Sequence, residues 1–232
     1  MKKNLFFILF LSVFQSFAQE NKNTLLDMLL KIPFKPSLDL GFNQLQNLPT
    51  NMDLDWSGSR GVNLNLMFKI RLVGGTFTLN PGVGIAHENY AFAQKITVSR
   101  NSDGTVGILP LNYDQVSKTK LSANYIDFPL ELRYATSRGR KSFRFTAGAK
   151  LGFLFNNYTK ISYTQNNKES TLELNDDVYL NPIRYGIYGR IGYNWISFYA
   201  YYGLSDFFQK SRWNPDQRSM NAVMFGLSFV SF

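Results

Sequence analysis

The sequence predicts an all-β protein, an eight-stranded antiparallel transmembrane β-barrel preceded by a short N-terminal helix. Three observations predict it. Apolar and polar residues alternate with period two over long stretches. The connections between those stretches are alternately short and long. The chain carries 21 Phe and 13 Tyr, and only 18% of its residues are charged, below the roughly 25% of ordinary soluble domains.

The first residues read as an export signal. Lys2 and Lys3 form a positive n-region, Leu5 to Phe14 an apolar h-region, and Ser16-Phe17-Ala18 a small-residue cleavage site, so cleavage is expected before Gln19. Residues 1–18 are thus signal, 19–36 an N-terminal periplasmic segment, and 37–232 the barrel domain. Within the segment, Leu25, Leu26, Met28, Leu29 and Ile32 follow helical spacing. Asn23 or Thr24 is placed to cap that helix and Pro33 to stop it, which predicts a helix over 24–32.

The strands follow in order, roughly 37–46, 60–72, 76–92, 120–135, 142–164, 183–194, 196–208 and 219–232. Ser142 to Phe155 shows the pattern best. Phe143, Phe145, Ala147, Ala149, Leu151, Phe153 and Phe155 alternate with Ser142, Arg144, Thr146, Gly148, Lys150, Gly152 and Leu154, of which only the last is apolar. Successive strand residues point to opposite faces, so one face is apolar and the other polar. Val62 to Leu72, Ile126 to Tyr134 and Tyr185 to Tyr193 repeat it. Each core segment has the 9–11 residues, about, that a tilted strand needs to cross a bilayer. Pro81 and Pro129 fall inside strands, where a missing N–H predicts a local bulge. Short turns are expected at 73–75, 136–141 and 194–195, and long loops at 47–59, 93–119, 165–182 and 209–218. Outer-membrane barrels show this asymmetry, with short turns on the periplasmic side.

The polar faces carry Asp39, Lys69, Arg71, Glu88, Asp127, Glu131, Arg133, Arg144, Lys150, Arg184 and Arg190. Acids and bases at matching depths, interspersed with glycine, predict an ion-pair network in a narrow lumen. Counting back from the 136–141 turn brings Glu131 near Arg144 and Asp127 near Lys150. Leu66, Leu130, Ala149 and Ile191 are then expected to face lipid. Tyr134, Phe143, Tyr193, Trp195, Phe198, Phe229 and Phe232 gather near the short turns, as interfacial aromatics do. The opposite orientation would place phenylalanine and tyrosine at nearly every inward position and overfill the interior.

Several function classes are disfavoured. Without cysteine the chain has no lipoprotein anchor, disulfide or thiolate metal site. Its net charge of +9 is spread along the chain and forms no basic stripe interleaved with aromatics, so no nucleic-acid partner is expected. Asp53, Asp55, Asp176 and Asp177 lie in loops without calcium-loop spacing, and Asp103-Gly104 reads as a turn. No cofactor, metal or catalytic set is expected. His87, the one histidine, has Ser99 and Ser122 as its nearest serines but no motif that pairs them.

At Tyr125-Ile126-Asp127-Phe128-Pro129-Leu130-Glu131-Leu132-Arg133-Tyr134 the chain resembles PorT-like outer-membrane β-barrel domain proteins of Bacteroidota. Tyr202-Gly203-Leu204-Ser205-Asp206-Phe207 and a terminal Phe232 are similar to that group as well. The resemblance implies an outer-membrane barrel. A terminal phenylalanine resembles the signal read by the outer-membrane assembly machinery. The function expected is structural or interactive, with membrane lipid around the barrel and envelope proteins as partners. The alternatives are a membrane-embedded lipid hydrolase and a narrow channel.

Overall fold

The computed structural model describes residues 34–72, 76–111, 116–137, 141–165, 168–174, 178–213 and 219–230. The expected signal, the helix over 24–32, the 73–75 turn and Phe232 lie outside these residues. The described chain has twelve strands and no helix: β1 Phe34–Gln46, β2 Arg60–Phe68, β3 Ile70–Arg71, β4 Phe77–Phe92, β5 Ile96–Arg100, β6 Val106–Pro110, β7 Val116–Ala135, β8 Phe143–Gln165, β9 Lys168–Leu174, β10 Ile183–Tyr193, β11 Ile196–Gly203 and β12 Asn221–Val230.

Eight of them close into a ring, β1-β2-β4-β7-β8-β10-β11-β12, because β12 pairs with β1 and β10 with β8. The pairs β12–β1, β10–β11, β8–β10, β11–β12, β2–β4, β4–β7 and β7–β8 are all antiparallel. β3 continues β2 along β4, β9 branches from the long end of β8, and β5 and β6 form a separate hairpin. Two expected loops therefore contain structure. The 93–119 segment holds the β5–β6 hairpin and the start of β7, and 165–182 holds β9. The strand expected over 196–208 ends at Gly203, and Phe208 instead bridges to Leu180.

Period two sets the facing. Leu66, Leu130 and Ile191 are 46%, 49% and 59% exposed, and Ala149 is exposed too. The inward neighbours of these residues are buried polar groups such as Asn65, Glu131, Lys150 and Arg190. The outward run Ile126, Phe128, Leu130, Leu132 and Tyr134 is apolar throughout and exposed. At the short-turn end, outward aromatics pair across strands: Phe77 with Tyr134 at 4.9 Å, Phe143 with Tyr193 at 5.1 Å and Trp195 with Phe229 at 5.6 Å. Asn194 takes the left-handed φ of 56° that the tight turn there demands.

The prolines make no bulge. Met67 pairs with Gly82 and Ile70 with Leu79 in one register, and the ladder merely skips Phe68 and Lys69 beside Pro81. Likewise Pro81 pairs with Leu130 and Gly84 with Asp127 in one register, and the two rungs skipped between them include that of Pro129. A missing N–H removes a ladder bond without inserting a residue, so the strand splits into β2 and β3 but keeps its facing. Two register shifts lie higher, one between Val116 and Lys118 and one where Asn124 pairs with Asn156 but Tyr125 with Leu154. Phe155 is the extra residue, and beyond it the inward positions of β8 change from even to odd.

At the long-loop end an apolar core closes over the ring. Tyr90, Leu121 and Tyr125, inward on the ring strands, pack with Ile96 and Val98 of the hairpin and with Phe207. Phe208 stacks on Trp213 at 4.2 Å, and Trp213 bridges to Val106. Asp53 and Gln94 exchange two 2.8 Å hydrogen bonds, tying the 47–59 connection to the end of β4. Asp55 accepts from Ser57, which holds its exposed carboxyl below the usual range.

Replacing Ala149 with Arg will destabilise the protein by about 2–4 kcal/mol if the position lies near the bilayer midplane. Urea unfolding in lipid vesicles measures this; an unchanged midpoint would place residue 149 away from lipid.

Candidate functional site

The ring lumen gathers the charged residues into two groups of four, each with two acids and two bases. In the group nearer the long loops, Arg184 of β10 is the hub. It donates to both oxygens of Asp127, at 3.0 and 2.8 Å, and to Glu88. Lys150 completes the group at 3.2 Å from Asp127. In the group nearer the short turns, Arg190 is the hub. It reaches Asp39 at 3.0 Å and also Glu131, which bonds Arg133 as well. None of these eight side chains is more than 9% exposed. Each group sums to zero charge, which is what makes such deep burial tolerable.

Tyrosines complete both groups. Tyr90 and Tyr188 donate to Glu88 and Glu131, at 2.8 and 3.2 Å. Arg184 lies 3.7 Å over the Tyr125 ring, and Lys150 lies 4.2 Å over Tyr201. Arg190 stands between Tyr188 and Tyr199, at 4.8 and 5.2 Å. Ser228 donates to Asp39 at 2.6 Å. Two glycines make the room. A Cβ on Gly148 would lie 2.4 Å from the Tyr188 ring, and one on Gly152 would lie 2.4 Å from Asp127 Oδ1.

The expected site residues divide accordingly. Asp39, Glu88, Asp127, Glu131, Arg133, Lys150, Arg184 and Arg190 meet in these groups, and Asp127 meets Lys150 as counted. Glu131 and Arg144 do not meet. The register sets Glu131 against Gly148 and Arg144 against Ala135, four residues nearer the turn. Arg144 donates to the Asn194 carbonyl instead. Lys69 and Arg71 share the inward facing but form no ion pair with an acid among the described residues. They sit near the short-turn mouth, Lys69 half-buried and Arg71 exposed, with Arg71 level with Thr78 and Arg133 in the ladder. Tyr125, Tyr188, Tyr199 and Tyr201 have no role legible from sequence alone; inward parity marks their positions, but ring stacking across the lumen is a property of closure.

His87 faces outward at the upper limit of the apolar band. Its Nδ1 lies 2.6 Å from Asn124 Oδ1 and its Nε2 lies 2.9 Å from Asn89 Nδ2. Ser122 donates to Asn89 Oδ1 at 2.7 Å and is fully buried. Asn89 thus stands between the imidazole and the serine, and Ser99 lies away on the hairpin. Among the described residues no three His, Asp or Glu side chains converge as metal ligands.

A family model described as outer membrane protein beta-barrel domain matches residues 17–209. The chain belongs to that family. It is an outer-membrane protein, and the ring is its β-barrel domain. Among solved structures it is similar to Ail, the attachment invasion locus protein of Yersinia pestis, crystallised with the heparin analogue sucrose octasulfate. Identity is 13% and the TM-score 0.36, over 86% of this chain and 100% of Ail. No curated protein matches the sequence.

Removing one acid strands its cation in a confined space, so Glu131→Gln alone will cost about 3–5 kcal/mol. Combined with Arg190→Gln it will cost less than the sum of the single changes, by about 0.5–3 kcal/mol. Combined with Arg144→Gln it will be additive. Urea unfolding of the three single and two double variants in detergent decides between this pairing and the one expected from turn counting.

Proposed function

We propose that this barrel is a closed scaffold. It holds a folded outer-side platform in the membrane, and its role is structural or interactive, in binding or docking envelope partners. The carrying observation is the filled lumen. Two neutral groups of four charges, wedged between tyrosines, occupy the ring interior. The apolar core of the hairpin and the 207–213 segment lies above them. A continuous water path has no room beside them, which argues against the channel alternative.

The platform supports the interaction reading. The upper part of β8 carries β9 beyond the ring, and the β5–β6 hairpin packs beside it. Trp56 and Leu109 are exposed at this end, at 59% and 51%. The apolar outward face is taken to contact outer-membrane lipid along eight transmembrane strands, with the short turns in the periplasm. In this reading the 125–134 segment reflects a PorT-like kinship, 1–18 is an export signal, and Phe232 is the element the assembly machinery recognises. The role is not enzymatic. The only histidine finds an asparagine where a serine nucleophile would be needed.

The wild-type protein in planar bilayers will show no stable conductance, and a photo-crosslinker at position 109 will yield discrete adducts in intact envelopes that one at position 191 does not. A sustained ion-selective conductance would replace the scaffold with a channel.

A further inference from the structure

We propose that an apolar notch in the outer wall of the barrel, over β8, β10 and β11, holds an acyl chain of a phospholipid from the leaflet nearer the short turns. The starting point is Gly189. A glycine weakens a strand interior, because it packs nothing and costs backbone entropy, and it marks a bulge, a bend or a close approach from outside. Gly148 and Gly152 are accounted for by the Tyr188 ring and the Asp127 carboxylate that a Cβ would strike. Gly189 is not. A Cβ there would meet only the Thr146 carbonyl oxygen, at 3.7 Å, an ordinary contact. Its registers with Ala147 and Ala200 run without a break. The missing side chain therefore leaves space outside the barrel that nothing in the chain fills.

The neighbours turn that space into a cavity. Gly189 pairs with Ala147 on one side and Ala200 on the other, so one outward rung across three adjacent strands carries no large side chain. The next outward rung toward the short turns is large throughout. Tyr134, Phe145, Ile191 and Phe198 stand in register there, and Tyr134 stacks on Phe145 with ring centroids 6.4 Å apart. Leu132, paired with Ala147, closes the notch on the β7 side. The result is a surface cavity of about 530 Å³ above an aromatic shelf. The outward side chains that line it are hydrocarbon or aromatic. Thr146, Arg190 and Tyr199 contribute to its floor, but their side chains turn into the lumen, where Asp39 and Glu131 hold Arg190.

The setting selects the occupant. The notch opens sideways through the apolar face, so this inference rests on the lipid-facing reading of that face. A polar ligand would lose its hydration there without a hydrogen bond in return. An unfilled void would forfeit dispersion contacts along its whole lining. A flexible hydrocarbon chain fills it, and the volume suffices, since an apolar cavity of about 150 Å³ already takes a benzene ring. Depth names the leaflet. Ala147 lies four residues from Phe143 of the short-turn belt and eight from Phe155, where the outward apolar run ends. A chain lying over the shelf with its end in the notch is gripped by floor, shelf and Leu132. The other lipids touch a convex wall on one side, so the gripped chain exchanges more slowly than they do.

The test uses the full chain refolded into nanodiscs of phosphatidylethanolamine and phosphatidylglycerol and released gently for native mass spectrometry. One phospholipid per chain is expected to stay bound. Gly189→Leu and Ala200→Leu, which fill the notch from its floor, should each retain at least fivefold less. Leu64→Phe, outward on the opposite wall, should retain as much as the wild type. The gel shift between unheated and boiled samples verifies folding of each variant. No retained phospholipid in the wild type, or equal retention in the filled variants, would overturn the proposal. So would a dimer that Gly189→Leu dissolves, since a second copy would then be the occupant. Brominated-lipid quenching of a fluorophore at position 66 separates the two readings. Without quenching the lipid-facing reading itself fails; quenching without a retained phospholipid sinks the notch alone.

Discussion

Two arginines on one strand, Arg184 and Arg190, join the walls of the lumen. Arg184 ties β10 to Glu88 on β4 and Asp127 on β7. Arg190 ties it to Asp39 on β1 and Glu131 on β7. The constraint behind them is the pleat. Once one face of every strand is apolar toward lipid, the other must face a narrow interior, and whatever charge it carries is buried there. Buried charge is tolerable only when paired and hydrogen-bonded, and here each arginine meets two carboxylates on different strands.

The rest of the interior follows from fitting those side chains together. Gly148 and Gly152 leave space for Tyr188 and for the Asp127–Arg184 pair. The four tyrosines cover the cationic heads and fill the remaining width. A lumen filled in this way has no need of a moving plug, and the elements free to vary lie at its ends. One end is sealed by an apolar core. At the other, Lys69 and Arg71 form no ion pair with an acid among the described residues.

Much of this was legible in the sequence because period two is a local signal. The outward set on β8, Phe143 to Phe155, and the inward Asp127, Glu131 and Lys150 follow from parity alone. Register was less legible. The 136–141 turn does not reveal how far the strands climb before pairing, so counting from it sets Glu131 against Arg144, four residues from its ladder partner Gly148. The prolines misled for a different reason: a missing donor can be absorbed by a skipped rung as well as by a bulge. Contacts across the lumen, Asp39 to Arg190 above all, span 151 residues and arise only from closure. The β5–β6 hairpin and β9 were hidden because their short strands sit in polar segments that read as loop.

Period-two facing around a filled lumen is tested most directly by a quenching scan along β8. Single cysteines at the odd positions 143 to 153, each carrying a fluorophore, are challenged in vesicles with brominated lipid and with a water-soluble quencher, and an unlabelled cysteine at the inward position of Thr146 is challenged with a small water-soluble thiol reagent. The odd positions should be quenched by brominated lipid alone, and the inward cysteine should not react. A rapid reaction at position 146 would mean an open, hydrated lumen, and the two buried charge groups could not then be what holds the barrel shut.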